Sequence, residues 1–529
     1  MGIVRTQSIR NSIYFYIGLS LGALSTIVFY PNVFNSHPEH WGLIQIIVSY
    51  SIVLSTFSSL GSPKTLIRFF PKVKDKSELV TLTFLIPIIG FLFVFLFYLL
   101  FKDSIITYLK PDFQSFLGKE QDFIDEMRTY ILLKDNLHLI FLLIASLSFF
   151  EVLSALSRSL LNATMPVMLR EVFLKGMGII LLFLHWPETT INFDNFTFLK
   201  SQYIDFETYL YLYVLMYMLM AIILAFSIFS KFNYKIKFRF DQLETRKQLL
   251  FGLYVLGGGA SAMLVSKLDM IMIERIIGYK EVAFYSIAFF IGNVVRIPGR
   301  AVGSIATPLI VKAWEKRDID QIKSIYVKSS INQFLLGGII FLGVWLNIDD
   351  GLSLLPDKFQ GGAMVVLFIA LGQLFNVACG VNGIIIINSR YYKFDLYSNF
   401  ILLIITIIAN LIFIPKSSPL EIYDITGING AAFATALSVF LYNVIKLIFV
   451  YIKIGIQPFT INTLKTIFLI VGVYLCIDPI YFSDNVIISL ILRFSMLAIL
   501  YLTVMILLRI SDDINDLISD LWRKYFVRN

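Results

Sequence analysis

Apolar stretches of about 20 residues recur along the whole chain, and runs such as FLIPIIGFLFVFLFYLLF (84–101) leave no place for a polar face. Each stretch is long enough to cross about 30 Å of hydrocarbon as a helix. Inside a bilayer the backbone must satisfy its own polar groups, which only helices and closed barrels do. Barrel strands would read as alternating segments of about ten residues, so these stretches are helices. Fourteen spans are expected, at approximately 12–30, 41–63, 79–101, 137–157, 166–186, 209–229, 248–272, 281–303, 329–347, 361–387, 396–415, 429–452, 462–480 and 485–508. Composition points the same way: 57% of the 529 residues are hydrophobic and only 15% are charged. That is more apolar surface than a soluble core of this length needs, so the fold class is all-α integral membrane.

Arg5 and Arg10 precede the first apolar stretch as they would in a signal peptide, but no small-residue cleavage site follows. The first span is therefore expected to stay as a mature helix. Cys379 and Cys476 both fall inside spans, so neither a disulfide framework nor a CxxC metal motif is present in the sequence. The histidines, His37, His40, His138 and His185, are scattered, without metal spacing or a nucleophile motif beside them. No catalytic residue, metal or cofactor is expected, and a membrane enzyme, which would cluster acidic and histidine residues for its chemistry, is disfavoured.

Lysine and arginine in the connections set the orientation. With both termini cytoplasmic, the inner segments hold Lys64, Arg68, Lys72, Lys74 and Lys76, then Lys231, Lys235, Lys237, Arg239, Arg246 and Lys247, then Lys312, Lys316, Arg317, Lys323 and Lys328. Outer segments are poor in them, apart from 102–136, where five basic residues are diluted by seven acidic ones. The net charge of +8 is thus mainly topology, and nucleic acid is not an expected partner. The chain divides into an N-terminal six-helix lobe (1–229), a basic cytoplasmic loop (230–247), a second six-helix lobe (248–455), two added spans (456–509) and an amphipathic cytoplasmic tail (510–529). Spans 2 and 8 end alike, with Gly61-Ser62-Pro63-Lys64 in one and Arg296-Ile297-Pro298-Gly299-Arg300 in the other, which suggests an internal repeat of the transporter kind.

Three stretches carry a family resemblance: QSIRNSIYFYIGLSLGALSTIVFYPNVF (7–34), LDMIMIERIIGYKEVAFYSIAFFIGNVVRIP (268–298), and LIFIP followed by ITGINGAAFATALSVFLYNVIK (425–446). They resemble the polysaccharide-unit flippases of bacteria (Wzx type), in the multidrug/oligosaccharidyl-lipid/polysaccharide exporter superfamily. The resemblance implies two lobes around a central cavity that opens alternately to each side of the inner (cytoplasmic) membrane. It implies as substrate an oligosaccharide on a polyprenyl pyrophosphate carrier, for lipopolysaccharide, capsule or exopolysaccharide synthesis. Expected partners are that lipid-linked substrate, membrane lipids and other polysaccharide-assembly membrane proteins. A multidrug efflux antiporter of the same fold is the alternative, and its cavity would carry more acid and less base.

Charged residues set into spans are the site candidates, because a charge at the centre of a membrane helix costs roughly 2.5–3.5 kcal/mol on insertion scales. Arg296 and Arg300 are four apart on one face of span 8 with Pro298 between them to bend the helix, and suit an anionic head group. Snorkelling to cytoplasmic water is the competing reading. Lys64 and Arg68 end span 2 at the matching level, and Arg10 opens span 1. For these three, positive-inside anchoring competes with cavity lining. Lys267 and Asp269 sit two apart in span 7, about 200° around a helix, so they need not be an ion pair and one of them is expected to face the cavity. Glu151 and Arg158 in span 4, with Arg170, Glu171 and Lys175 in span 5, suit interhelical ion pairs; Glu151 and Asp269 are the candidates for a coupling proton or cation.

Overall fold

The computed structural model describes residues 2–511 apart from 74, 112–119, 187–189, 194–195, 200–202, 231, 233, 239–244, 416–419 and 481. The expected amphipathic tail lies outside the described residues beyond 511. Packing divides the chain into two compact units, Met1–Ser286 and Ile287–Asn529.

In the first unit, α1 (Gly2–Ala23) runs through a π-helical segment, Leu24–Phe29, into α2 (Tyr30–Val33). Then come α3 (Pro38–Ser59), α4 (Ser62–Phe69), α5 (Lys76–Leu109), α6 (Glu120–Asp135) and α7 (Leu137–Ser159). Next are α8 (Thr164–Met168), a second π-helical segment at Leu169–Phe173, and α9 (Leu174–His185). Strands β1 (Thr190–Phe193) and β2 (Phe196–Leu199) pair antiparallel, with Thr190 opposite Leu199. The unit continues with α10 (Phe206–Phe229) and α11 (Thr245–Ile277), and α12 (Tyr279–Asn293) begins in it.

Two expectations change here. Span 2 does not run on to Lys64 and Arg68, because Leu60 and Gly61 adopt left-handed conformations that end α3, and Pro63 starts the separate helix α4. Gly61 is needed for a second reason: a Cβ there would lie 2.2 Å from the carbonyl oxygen of Gly252 on α11. That close approach packs α11 against the end of α3, within the first unit. The described part of the basic loop 230–247 is pinned to α5. The Tyr234 hydroxyl and the Lys237 N–H both meet Thr81 Oγ1, at 3.0 and 3.2 Å, and the Lys237 ammonium pairs with Asp75.

The second unit opens with the rest of α12, a 3₁₀ turn at Val294–Arg296, and α13 (Ile297–Lys316). It continues with α14 (Ile319–Trp345), α15 (Ile348–Ser353), α16 (Ala363–Ala378), α17 (Asn382–Ile387), α18 (Lys393–Phe413), α19 (Gly427–Ile454), α20 (Ile461–Ile477) and α21 (Val486–Leu507). Gly430 lets α19 start against the end of α18, since a Cβ there would lie 1.9 Å from the Phe413 carbonyl oxygen. The last two helices are built into the core: Tyr501 donates to the Leu335 carbonyl at 2.8 Å, and Arg493 on α21 pairs with Asp350 at 3.0 Å.

Eleven helices among the described residues are long and apolar enough to span a membrane, and twelve if the bent helix α11 counts as one. The two remaining expected spans have physical reasons for falling short. Span 5 carries Arg170, Glu171 and Lys175 in its middle, more charge than an apolar span holds, and span 13 is the 17-residue α20. Segment 102–136, expected as a connection, folds in part into α6.

Charged groups in the membrane-spanning helices

Arg296 ends the 3₁₀ turn that breaks the helical path between α12 and α13, and Pro298 takes the first turn of α13, where a missing N–H costs nothing. The two arginines stay one turn apart. Both are exposed on the protein surface, and neither has an ion-pair partner among the described residues. Arg296 lies within electrostatic reach of Arg300 and of Tyr442 on α19. Between them, Gly299 forms part of the wall of a cavity of about 260 Å³, lined also by Gln333, Gly380, Gly383, Ile387 and Asp395.

Beyond that cavity lies a polar network for which no site had been expected. Asp395, in the first turn of α18, accepts from the Lys446 ammonium of α19 at 2.9 Å and from the Asn399 amide at 3.3 Å. Tyr442 donates to Asn399 at 2.8 Å, and its ring lies 4.2 Å from the Lys446 nitrogen. Asn443 bridges outward, donating to Asn376 at 3.1 Å and accepting from Asn382 at 3.2 Å. Lys446 is only 4% exposed. Gly383 makes room for it, because a Cβ at that position would sit 3.3 Å from the Lys446 nitrogen. The signal was available: Lys446 interrupts an apolar span just as Lys267 does, and Tyr442 lies one turn before it on the same face.

In the first unit, Asp269 is buried and accepts from the Tyr285 hydroxyl at 2.7 Å. Lys267, half-buried on the same helix, has no ion-pair partner among the described residues. Glu151 pairs with Arg170 across α7 and the π-helical segment, and Lys175 pairs with Glu171 at 2.8 Å while donating to the Gly18 carbonyl at 2.9 Å. Arg10 is exposed on α1. Lys64 and Arg68 are exposed on α4, with the Arg68 guanidinium 4.3 Å from the centre of the Phe251 ring. The structure therefore gathers Lys64, Arg68 and α11 on one side of this unit, and places Glu151 in a separate ion pair.

Residues 8–314, more than half of the chain, match the family described as polysaccharide biosynthesis protein. The chain belongs to that family. Residues 259–412 also match the MatE family. This member of the polysaccharide biosynthesis family is 24% identical over 509 residues to the uncharacterized membrane protein MJ1068 of Methanocaldococcus jannaschii, covering 91% of this chain and 92% of that one. Its fold is similar to that of the lipid II flippase MurJ in an inward closed conformation, with a TM-score of 0.69 at 12% identity over 99% of this chain and 100% of the other. It is also similar to an inward-facing multidrug resistance MATE transporter, with a TM-score of 0.60 at 13% identity over 85% and 98% of the two chains. The family member is thus a multi-pass membrane protein with the fold shared by these two transporters.

Proposed function

We propose that the chain flips an oligosaccharide carried on polyprenyl pyrophosphate across the cytoplasmic membrane, by alternating access of its two lobes, with Arg296 and Arg300 receiving the pyrophosphate. The observation that carries this reading is the bare state of the arginine pair. Two guanidinium groups one turn apart, exposed and without carboxylate partners among the described residues, present two planar forks to an anion. A pyrophosphate diester brings about two negative charges, which the pair matches, and charge-assisted hydrogen bonds to ionised groups contribute about 1.5–3 kcal/mol each. The membership in a polysaccharide biosynthesis family agrees with a glycan cargo.

A multidrug antiporter is the second reading, favoured by the MatE match at 259–412. Against it stands the pairing of the acids. A cationic drug attracted to Asp395 would have to displace Lys446, and Asp269 is already bonded by Tyr285.

The deciding test is complementation in a strain lacking its own flippase, scored by surface glycan with protein level in the membrane measured alongside. Arg296→Ala or Arg300→Ala should abolish export at normal protein level, and Lys at either position should restore it only partly, since an ammonium lacks the planar fork. Normal export by the double Ala variant would sink the reading. Drug resistance without surface glycan would favour the antiporter.

A further inference from the structure

The other end of α12 is held by a joint built from four helices, and the transport reading assigns it no role. Gly278, between α11 and α12, has φ +110°, and a Cβ there would lie 2.7 Å from the carboxyl carbon of Glu126 on α6. Glu126 is 4% exposed. One of its oxygens accepts the N–H of Tyr279 at 2.8 Å, and the other accepts the N–H of Lys280 at 3.0 Å. The carboxylate thus serves as the N-cap of α12 from 153 residues away. On the far side of the turn, α3 approaches so closely that a Cβ on Gly42 would lie 1.8 Å from the Tyr279 carbonyl oxygen. Trp41 on α3 donates to Ser286 at 3.0 Å, fixing the second turn of α12 as well.

Three buried carboxylates meet at this joint: Glu126 from α6, Glu39 from α3 and Glu274 from α11. The neighbouring cations also have other partners, although Arg275 stays within electrostatic reach of Glu274. Lys280 pairs with Asp122 on α6 at 3.1 Å, and Arg275 donates to the Lys110 carbonyl at 3.0 Å while stacking over Tyr108. His37 lies 2.9 Å from Glu39, and Tyr50 donates to Glu274 at 3.3 Å. Among the described residues, the hydrogen bonds to Glu126 come from neutral backbone N–H groups.

We infer that Glu126 is a proton-operated clamp on the α11–α12 turn. Ionised, it accepts from both first-turn amides of α12. Taking one proton from water at one oxygen turns that oxygen into a hydroxyl donor facing an N–H, so one amide loses its partner and the turn loosens. Burial, together with the Glu274 and Glu39 carboxylates, pushes the Glu126 carboxyl up to about 7, while the two amide bonds hold it down. The joint therefore titrates near neutrality. If 102–136 faces outward, as the lysine and arginine count predicts, the proton comes from the outer compartment.

The sign of the linkage gives two readouts that move in opposite directions. A carboxyl raised in the folded chain favours folding below the ordinary carboxyl range, and that advantage is lost as pH rises through about 7. Thermal stability should therefore rise on acidification over this window, while local protection at the start of α12 falls. The experiment is hydrogen exchange of the full chain in lipid nanodiscs between about pH 5 and 9. Exchange of the peptide covering 278–286 is corrected for intrinsic rate and read against α10 as an internal reference. Wild type should lose protection as pH drops through about 7. Glu126→Gln should show low protection at every pH, and Glu274→Gln should move the wild-type midpoint to lower pH with the clamp intact. A protection profile in wild type that does not vary with pH overturns the inference, as does a wild-type profile in Glu126→Gln. Should Glu126→Gln fail to insert, the exchange profile of Glu274→Gln decides: a midpoint moved to lower pH supports the clamp, and an unmoved midpoint overturns it.

Discussion

Lys446 and Arg296 both bring a fixed positive charge into membrane-spanning helices of the second unit, yet their surroundings differ in kind. Lys446 is buried with a carboxylate at 2.9 Å and a tyrosine ring at 4.2 Å, and both partners are in turn hydrogen-bonded to Asn399. Arg296 stands in the 3₁₀ turn that joins α12 to α13, exposed, with another guanidinium as its charged neighbour. A charge that finds its counter-ion within the fold serves the fold. One without a counter-ion among the described residues is not accounted for by the fold in the same way. The same contrast separates Asp269, bonded by Tyr285, from the half-buried Lys267 two residues before it.

The comparison is most directly broken at Lys446. Replacing it with Met leaves Asp395 without its charge partner, and removing one member of a buried pair costs roughly 3–5 kcal/mol. Lys446→Met should sharply lower thermal stability and yield in the membrane, and Lys446→Met with Asp395→Leu should recover much of the loss. A single variant that unfolds like wild type would mean that the pair contributes nothing to the fold.

A smaller effect is expected at the arginines. Because neither is paired among the described residues, Arg296→Ala and Arg300→Ala should each change unfolding by no more than about 0.5 kcal/mol, the range of ordinary surface substitutions. Thermal unfolding in detergent measures this independently of cargo. A large loss would place the arginines with Lys446, as structural charges.

The smallest effect belongs to Asp75 and Lys237, an exposed pair outside the spans. The hydrogen bond from Lys237 holds the Asp75 carboxyl below its usual range. Its contribution is present above the ordinary carboxyl range and is lost as pH falls through the lowered value. Exposed pairs contribute little, so Asp75→Asn should leave stability at neutral pH nearly unchanged and remove only a slight acid-side decline. A strong loss at neutral pH would mean that pinning the basic loop to α5 matters to the whole first unit.

The sequence by itself determined the solvent of this protein, its helical class and the approximate place of most spans, because bilayer thickness is matched by hydropathy over about 20 neighbouring residues. It also placed Arg296 and Arg300 on one face, since four residues make about one turn. Tertiary structure alone decided which charges are spoken for. Asp395 and Lys446 are 51 residues apart, and Glu126 reaches the start of α12 across 153. Hydropathy has no term for such pairs: a lysine in an apolar run reads the same whether its counter-ion is in the next helix or on a passing substrate. The ends of α3 and α12 were hidden for a related reason, because Gly61 and Gly278 are fixed by left-handed backbone and by atoms of Gly252 and Glu126, which only the packed chain brings there.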